Sequence, residues 1–247
     1  MGRSKLSQLW ASVLINAIYS MENYPITLVN TFMAPLSILI IITLVSHGTL
    51  LSVGLSGALI MTMVTSGIGL QADLSHLKND FKVQDMVVSS PTSAFMYMLG
   101  MAVSEVIFSL PAIIILTILA VLFIKVTIIG AIVIFAVMAL MFSFSIALGF
   151  FLSTYSTDIV QNYAFMGILS IFLTTIPPVY YPITYIPLPY RYIAYLSPTT
   201  YAAEIIQSAI GYLQLSTLTL AVDWAVVIAV AAVLLTLSIK KSRWRES

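Results

Sequence analysis

Four acidic residues stand alone within long apolar stretches of the sequence, and they are its first candidates for chemistry. They are Glu105, Asp158, Glu204 and Asp223. Where such a stretch crosses a bilayer, a carboxylate is costly and commonly marks a proton, ion or substrate site. Asp158 and Asp223 fall at the ends of their stretches, where an acid costs little. Glu105 lies well inside its stretch, where it could face a water-filled path, pair with another segment or reach back to the surface.

The residue sets on which most enzymes depend are missing. The sequence has no cysteine and two histidines, His47 and His76, which excludes thiol catalysis and cysteine-bound metals. It contains no Gly-x-x-x-x-Gly-Lys-Ser/Thr loop for the phosphates of ATP, and no Ser/His/Asp set stands out. We therefore predict no catalytic residue, no metal site and no cofactor on these 247 residues.

The composition indicates a membrane protein. Hydrophobic residues make up 60% of the chain and charged residues 8%, whereas a soluble domain has about 25% charged residues. The mean hydropathy is +1.07. The net charge of +1 gives no reason to expect a nucleic-acid partner. We expect a multi-pass protein of the cell membrane, in contact with the lipid bilayer.

Charge-poor stretches predict six transmembrane helices, near 28–47, 51–72, 93–124, 127–152, 158–177 and 219–239. A bilayer is crossed by about 20 apolar residues in a helix. Runs such as Leu36–Val45 and Ala225–Leu237 are apolar on every face, which favours buried or lipid-embedded helices over alternating strands. The predicted fold is an all-α membrane bundle, a single transmembrane domain over residues 1–247.

The basic residues predict the orientation of this bundle. With six spans both termini share one side, and eight of the ten lysines and arginines fall there. Loops rich in Lys and Arg stay in the cytoplasm, so both termini are expected to be cytoplasmic. These eight residues are Arg3, Lys5, Lys78, Lys82, Lys240, Lys241, Arg243 and Arg245.

Residues 1–25 mix polar and apolar residues at helical spacing. The pattern predicts an amphipathic helix in the cytoplasmic interface, with Trp10 at the depth of the lipid headgroups. A helix packed on the flank of the bundle is the alternative, and the two are compatible.

The predicted cytoplasmic loop 73–90 combines an apolar face with charges of both signs. Leu74, Leu77 and Phe81 share one helical face, and Lys78, Lys82 and Asp85 are among the charges around it. The loop is either a solvated connector or a short amphipathic helix that docks on a cytoplasmic partner. Mixed signs suit a protein partner better than lipid headgroups.

A Pro/Tyr segment, residues 177–203, separates the fifth and sixth predicted spans. This segment holds six of the ten prolines and seven of the 13 tyrosines. Proline breaks helices, and broken backbone at membrane depth must be buried in protein or face water. We predict a bent, re-entrant helical hairpin in the outer leaflet. It is either an aromatic anchor belt or a lid over an exit path.

The second predicted span is rich in glycine, serine and threonine, which more often indicates close helix packing than a pore. Met61 and Thr65 of this span, with Glu105 and Phe172, are weaker candidates for a translocation path. A path lined by Met61, Thr65 and Phe172 would favour an amphipathic or lipid-like cargo.

Two stretches resemble permeases of the type-2 ATP-binding-cassette (ABC) transporter family. Val87–Gly100 is similar to the family's small residues and proline before a Tyr-x-Leu-Gly-like helix start. After the fifth span, the chain resembles the family's "yP…lP…lnPlty" segment, with Ser197 where the family commonly has Asn. The matching residues there are Tyr181-Pro182, Ile186-Pro187, Tyr195-Leu196-Ser197-Pro198 and Thr200-Tyr201-Ala202.

The resemblance implies the membrane subunit of an exporter of drugs, lipids or polysaccharides. It would pair with a second permease chain, often an identical copy, above separate nucleotide-binding ATPase subunits that hold ATP and Mg. The implied coupling helix includes Leu77, Lys78, Phe81, Lys82 and Asp85. The implied external gate includes Pro182, Pro187, Tyr195, Pro198 and Tyr201. The second and fifth spans would line the path.

Three other functions stay open from the residues themselves. An ion- or proton-coupled secondary carrier would use Glu105, but it predicts paired buried charges or repeated broken helices. A membrane-embedded enzyme needs clustered polar residues at one depth. A non-transporting scaffold does not need so elaborate an outer segment.

Overall fold

A computed structural model describes residues 5–23, 25–79, 94–124, 126–155 and 159–241 of the chain. All regular structure in these ranges is helical, as the apolar runs predict. The elements are α1 (Lys5–Val13), a π-helical turn (Leu14–Ile18), α2 (Tyr19–Asn23), α3 (Pro25–Val45), α4 (Leu51–Asn79), α5 (Ala94–Phe123), α6 (Ile128–Tyr155), α7 (Ile159–Ser170), a second π-helical turn (Ile171–Thr175), a 3₁₀ turn (Ile183–Tyr185), α8 (Arg191–Ala194), α9 (Pro198–Ala209) and α10 (Thr217–Lys241).

Four of these helices contain an apolar stretch long enough to cross a membrane, which makes the chain a multi-pass membrane protein. The stretches are Leu51–Leu70, Leu99–Phe123, Ile128–Ser153 and Thr217–Lys240, in α4, α5, α6 and α10. The first and fifth predicted spans coincide with shorter apolar stretches, Thr31–Val45 and Val160–Thr175. At about 1.5 Å per residue these two are shorter than the apolar thickness of a bilayer. The described residues thus support four spans directly, and the count of six stays a prediction.

Helix α4 forms the centre of the bundle. Its apolar stretch is 89% buried, against 22% for that of α5 and 17% for that of α10, and it packs against α3, α5, α6, α7 and α9. At Gly67 an added Cβ would lie 2.0 Å from Ser145 Oγ of α6, so only glycine permits this approach. The prediction that the small residues of the second span serve close packing is confirmed.

The other spans expose apolar side chains around this centre. On α5, Ile118, Val121 and Leu122 are between 54% and 73% exposed. Such surfaces are stable only where lipid replaces water, because lipid tails are themselves apolar.

The N-terminal helices pack on the flank of the bundle, and their position in the membrane interface stays a prediction. Val13 and Ala17 are buried, and Ser12 lies against Gly100 of α5, where an added Cβ would come within 2.9 Å of its hydroxyl. Leu6, Trp10 and Ile15 are exposed. The N-terminal helices therefore pack on the bundle in part and also present apolar residues that suit a lipid interface.

The Pro/Tyr segment does not form two matching helical arms. Its first half is irregular apart from the 3₁₀ turn, because closely spaced prolines deny it successive helical hydrogen bonds. Its second half contains α8 and the start of α9, with Pro198 at the first helical position, where a proline fits because its missing N–H is not needed. Helix α9 then packs against α10, α6 and α4.

Candidate functional site

The Pro/Tyr segment reaches the centre of the bundle through a glycine. A Cβ at Gly57 of α4 would lie 2.5 Å from the carbonyl oxygen of Val179 and 3.1 Å from Tyr180 Cα. Val179 and Tyr180 are accordingly almost completely buried. The segment is thus an integral part of the packed fold and not a loop that lies over it.

Three of the five predicted gate residues come together at the start of α9. The rings of Tyr195 and Tyr201 pack with their centroids 5.4 Å apart, and the Tyr201 hydroxyl donates to the carbonyl oxygen of Tyr195 at 3.0 Å. Pro198 begins the helix between them. Pro182 is buried just before the 3₁₀ turn, whereas Pro187 is exposed beyond it. The two prolines therefore bracket the turn and do not join the tyrosine pair.

Arg191 holds the irregular half of the segment in place. Its guanidinium donates to the carbonyl oxygen of Ile186 at 3.0 and 3.2 Å and to that of Thr184 at 3.3 Å. These bonds satisfy main-chain acceptors that the prolines leave without helical donors. Arg191 is one of the two basic residues not assigned to the side of the termini, and its role as a clamp depends on the local turn.

Beneath the tyrosine pair lie two buried acids on facing helices. Glu204 of α9 is 3% exposed and Asp223 of α10 is 2% exposed. The Tyr195 hydroxyl donates to Glu204 Oε1 at 3.2 Å. Burial, followed by the nearby charge of Asp223, raises the pKa of Glu204 to about 7, although the Tyr195 bond and the charge of Arg191 act in the opposite direction.

Four buried side-chain oxygens in the described ranges have no hydrogen-bond partner, and all four are in or against this region. They are Tyr180 Oη, Glu204 Oε2, Gln207 Oε1 and Asp223 Oδ2. Buried polar groups are nearly always paired, so such a concentration needs a physical explanation. A metal ion is a poor one here, because no group of three or more potential ligands among His, Asp and Glu occurs in the part of the chain that the structure describes.

The geometry can be compared with known proteins. The family model of the ABC-2 type transporter matches residues 7–210. The chain belongs to the ABC-2 type transporter family. It is therefore a permease, a membrane subunit for transport and not itself a catalytic chain. No curated protein sequence matches it.

The ABC-2 match covers both the bundle centre and the tyrosine pair, but it ends just after α9. Asp223 of α10 lies beyond it. In the sequence Asp223 is an acid near the end of a span, where water would be close. The structure instead buries it in the seam with α9. Only the packing of α9 on α10 reveals this, and nothing in the local sequence signals it.

The four predicted path residues of the permease differ in burial. Met61 is 4% exposed in the core of α4, and the Thr65 hydroxyl donates to the carbonyl oxygen of Met61 at 2.8 Å. Glu105 is half-buried on α5. Phe172 is 56% exposed in the second π-helical turn. A path along Met61 would require the bundle to open, so this assignment stays a prediction.

Most of the predicted coupling residues lie outside the described residues. This applies to Phe81, Lys82 and Asp85. Leu77 and Lys78 fall in the last turns of α4, which runs to Asn79, but their side chains also lie outside the described part. The backbone does establish that the first part of the predicted loop 73–90 continues the helix of the second span. The coupling role of these residues stays a prediction.

Proposed function

We propose that this ABC-2 permease is the membrane half of an exporter. In this arrangement two chains, most simply identical copies, form the translocation path, and separate ATPase subunits supply the energy. The family match over residues 7–210 carries the proposal. The sequence contains no phosphate-binding loop, which agrees with ATP hydrolysis on a separate subunit.

Six spans with both termini in the cytoplasm fit this role best. Under this topology α4 ends on the ATPase side, and the Pro/Tyr segment lies on the outer side. Closure of the ATPases on ATP would push on the coupling residues Leu77, Lys78, Phe81, Lys82 and Asp85. Because α4 runs on to Asn79, a push at its end is passed to the bundle centre as a rigid-body movement, which changes the population of its arrangements.

The outer gate in this proposal is the Pro/Tyr segment. The packing of Val179 on Gly57 supports it, since a movement of α4 would be transmitted to the segment through this contact. Pro182, Pro187, Tyr195, Pro198 and Tyr201 are its proposed gate residues. The cargo class is an amphipathic drug, a lipid or a polysaccharide.

The test is co-purification of the tagged chain from its native membranes, with mass spectrometry of its partners and an assay of ATP hydrolysis. We expect a stoichiometric nucleotide-binding ATPase that is lost from Phe81→Ala/Asp85→Ala. The matched control is Leu188→Ala/Tyr192→Ala, two exposed residues of the Pro/Tyr segment, which should keep the ATPase.

A chain that purifies without any ATPase would contradict the exporter function. It would instead favour a proton-coupled carrier that uses Glu105. An ATPase that stays bound to the Phe81/Asp85 variant would contradict the coupling assignment alone.

A further inference from the structure

The buried acids Glu204 of α9 and Asp223 of α10 lie on two packed helices and have too few hydrogen-bond partners for two charges. Each has one carboxylate oxygen, Oε2 and Oδ2 respectively, without a hydrogen bond. An ionised carboxylate removed from water is very unfavourable unless a cation or several donors compensate it. Whether these two acids are ionised or protonated therefore depends on the groups around them.

The surrounding elements offer little compensation. Tyr195 donates to Glu204 Oε1, and the guanidinium of Arg191 is bonded to the carbonyl oxygens of Thr184 and Ile186. The other titratable groups near the seam are Tyr180, Tyr181 and Tyr201, which carry no charge at neutral pH. The adjoining spans between Leu51 and Leu70 and between Ile128 and Ser153 contain no titratable residue. Lys125 lies outside the described residues.

We propose that Glu204 and Asp223 together form a proton-binding site, and that the bound proton holds α9 against α10. A proton on one carboxyl group removes one negative charge from the seam. It also turns a carboxylate oxygen into an O–H donor in a seam where several oxygens have no donor. Of two nearby buried carboxyl groups, one commonly keeps its proton because the charge of the other disfavours its ionisation.

The raised pKa of Glu204, about 7, agrees with this arrangement. Its causes are burial first and the charge of Asp223 second. Gln207, one turn further along α9 and 1% exposed, adds another oxygen without a partner. The seam therefore contains several buried oxygens that lack a hydrogen-bond donor.

Loss of the proton would leave two negative charges between packed helices. They would repel each other and attract water, and the seam would loosen. Because Glu204 is bonded to Tyr195, and Tyr195 is packed on Tyr201, the loosening would reach the start of α9. The pair thus acts as a pH-dependent latch on the Pro/Tyr segment, whether or not the chain is half of an exporter.

The direction of the pH dependence follows from the raised pKa. Glu204 would lose its proton at a pH of 4.5 in the unfolded chain and at a pH of about 7 in the folded chain. Between these two pH values the folded state therefore binds more protons. The stabilisation by this proton is complete below pH 4.5 and is lost as the pH rises through about 7.

Hydrogen–deuterium exchange of the purified full chain in phosphatidylcholine vesicles tests the latch. Exchange in α9 is compared between pH 5.5 and pH 8.5 after correction for the intrinsic pH dependence. In the wild type we expect the exchange rate in α9 to be about tenfold higher at pH 8.5 than at pH 5.5, a factor that corresponds to one pKa unit. Glu204→Gln/Asp223→Asn should keep the low-pH exchange at both pH values.

A matched control and a second variant keep the test decisive. Glu22→Gln removes an acid from an exposed position on α2 and should respond as the wild type does. Should the double variant fail to fold, Glu204→Gln alone is used, and its apparent melting temperature should change less between pH 5.5 and pH 8.5 than that of the wild type.

Three results would overturn the latch. In the first, exchange in α9 of the wild type does not change with pH. In the second, Glu204→Gln/Asp223→Asn changes with pH as the wild type does. In the third, exchange at constant pH changes with the sodium concentration, which would mean that the site binds sodium and not a proton. The experiment contains no ATPase, so its outcome is independent of the exporter function. A chain that binds an ATPase but lacks the pH response would contradict the latch only.

Discussion

The centre of α4 and the region of the Pro/Tyr segment both contain buried polar groups, but they satisfy these groups to different extents. In α4 the hydroxyls of Ser56, Thr62 and Thr65 donate to carbonyl oxygens of their own helix at 2.7 to 2.8 Å. In and against the Pro/Tyr segment, buried oxygens of Tyr180, Glu204 and other residues have no partner. The hydroxyls of α4 are satisfied by their own helix, whereas the buried oxygens of the other region lack hydrogen-bond donors.

This difference separates a scaffold from a part that can change. Close packing around glycine allows one arrangement, since interiors deform little. A region with unpaired polar groups can gain or lose partners such as protons, water or cargo, and each change alters its stability. We therefore expect the mobile element of the permease at the Pro/Tyr segment, with α4 as the body against which it moves.

The largest effect is expected at the joint between the two regions. In Gly57→Ala the new Cβ would lie 2.5 Å from the carbonyl oxygen of Val179, so backbone must shift. Overpacking of this kind costs roughly 1–3 kcal/mol, or about 2–4 °C of melting temperature per kcal/mol. Thermal unfolding in detergent measures the loss, and hydrogen exchange in residues 177–203 should rise with it.

Gly69→Ala is the matched control, because nothing lies within 4 Å of its Cβ position. It is expected to be neutral or to stabilise the helix by up to about 1 kcal/mol through the better helix propensity of alanine. Equal stability of the two variants would contradict the close approach of the segment to α4.

A smaller effect is expected from Tyr195→Phe, which removes the hydroxyl that donates to Glu204 Oε1. The loss costs about 1 kcal/mol. Because this bond lowers the pKa of Glu204, its removal should move the pH midpoint of exchange in α9 upward.

Tyr201→Phe provides the comparison for Tyr195. It loses a bond to the main-chain carbonyl of Tyr195 and should cost a similar free energy of unfolding without moving the midpoint upward. An upward movement of equal size in both variants would contradict a specific effect of the Tyr195–Glu204 hydrogen bond on the proton affinity of Glu204.

The smallest effect is expected within the bundle centre. Ser66→Ala removes the acceptor of a 2.6 Å hydrogen bond from Ser109 Oγ, which links α4 to α5. Ser109 keeps an acceptor in the carbonyl oxygen of Glu105. Hydrogen bonds between spans average about 0.6 kcal/mol, so the change in thermal stability should be small and independent of pH. A pH-dependent loss would contradict the contrast between the two regions.

The helices could be predicted from the sequence better than the site could. Runs of apolar residues locate α4, α5, α6 and α10 within a few residues, because only a helix satisfies its backbone in lipid. The shorter apolar helices at 31–45 and 160–175 match predicted spans in place but not in length. For the Pro/Tyr segment, composition indicated a broken backbone, yet it did not indicate that the first half would be irregular and clamped by Arg191.

The sequence by itself determined the membrane location, the helical class and the family, because these depend on composition, hydropathy and short motifs that are read locally. Tertiary structure alone decided that α4 is the centre, that Gly57 admits the Pro/Tyr segment and that Glu204 is buried within the electrostatic influence of Asp223. These last two residues are 19 positions apart on separate helices. Their shared electrostatics exists only once packing has excluded water from the seam between them.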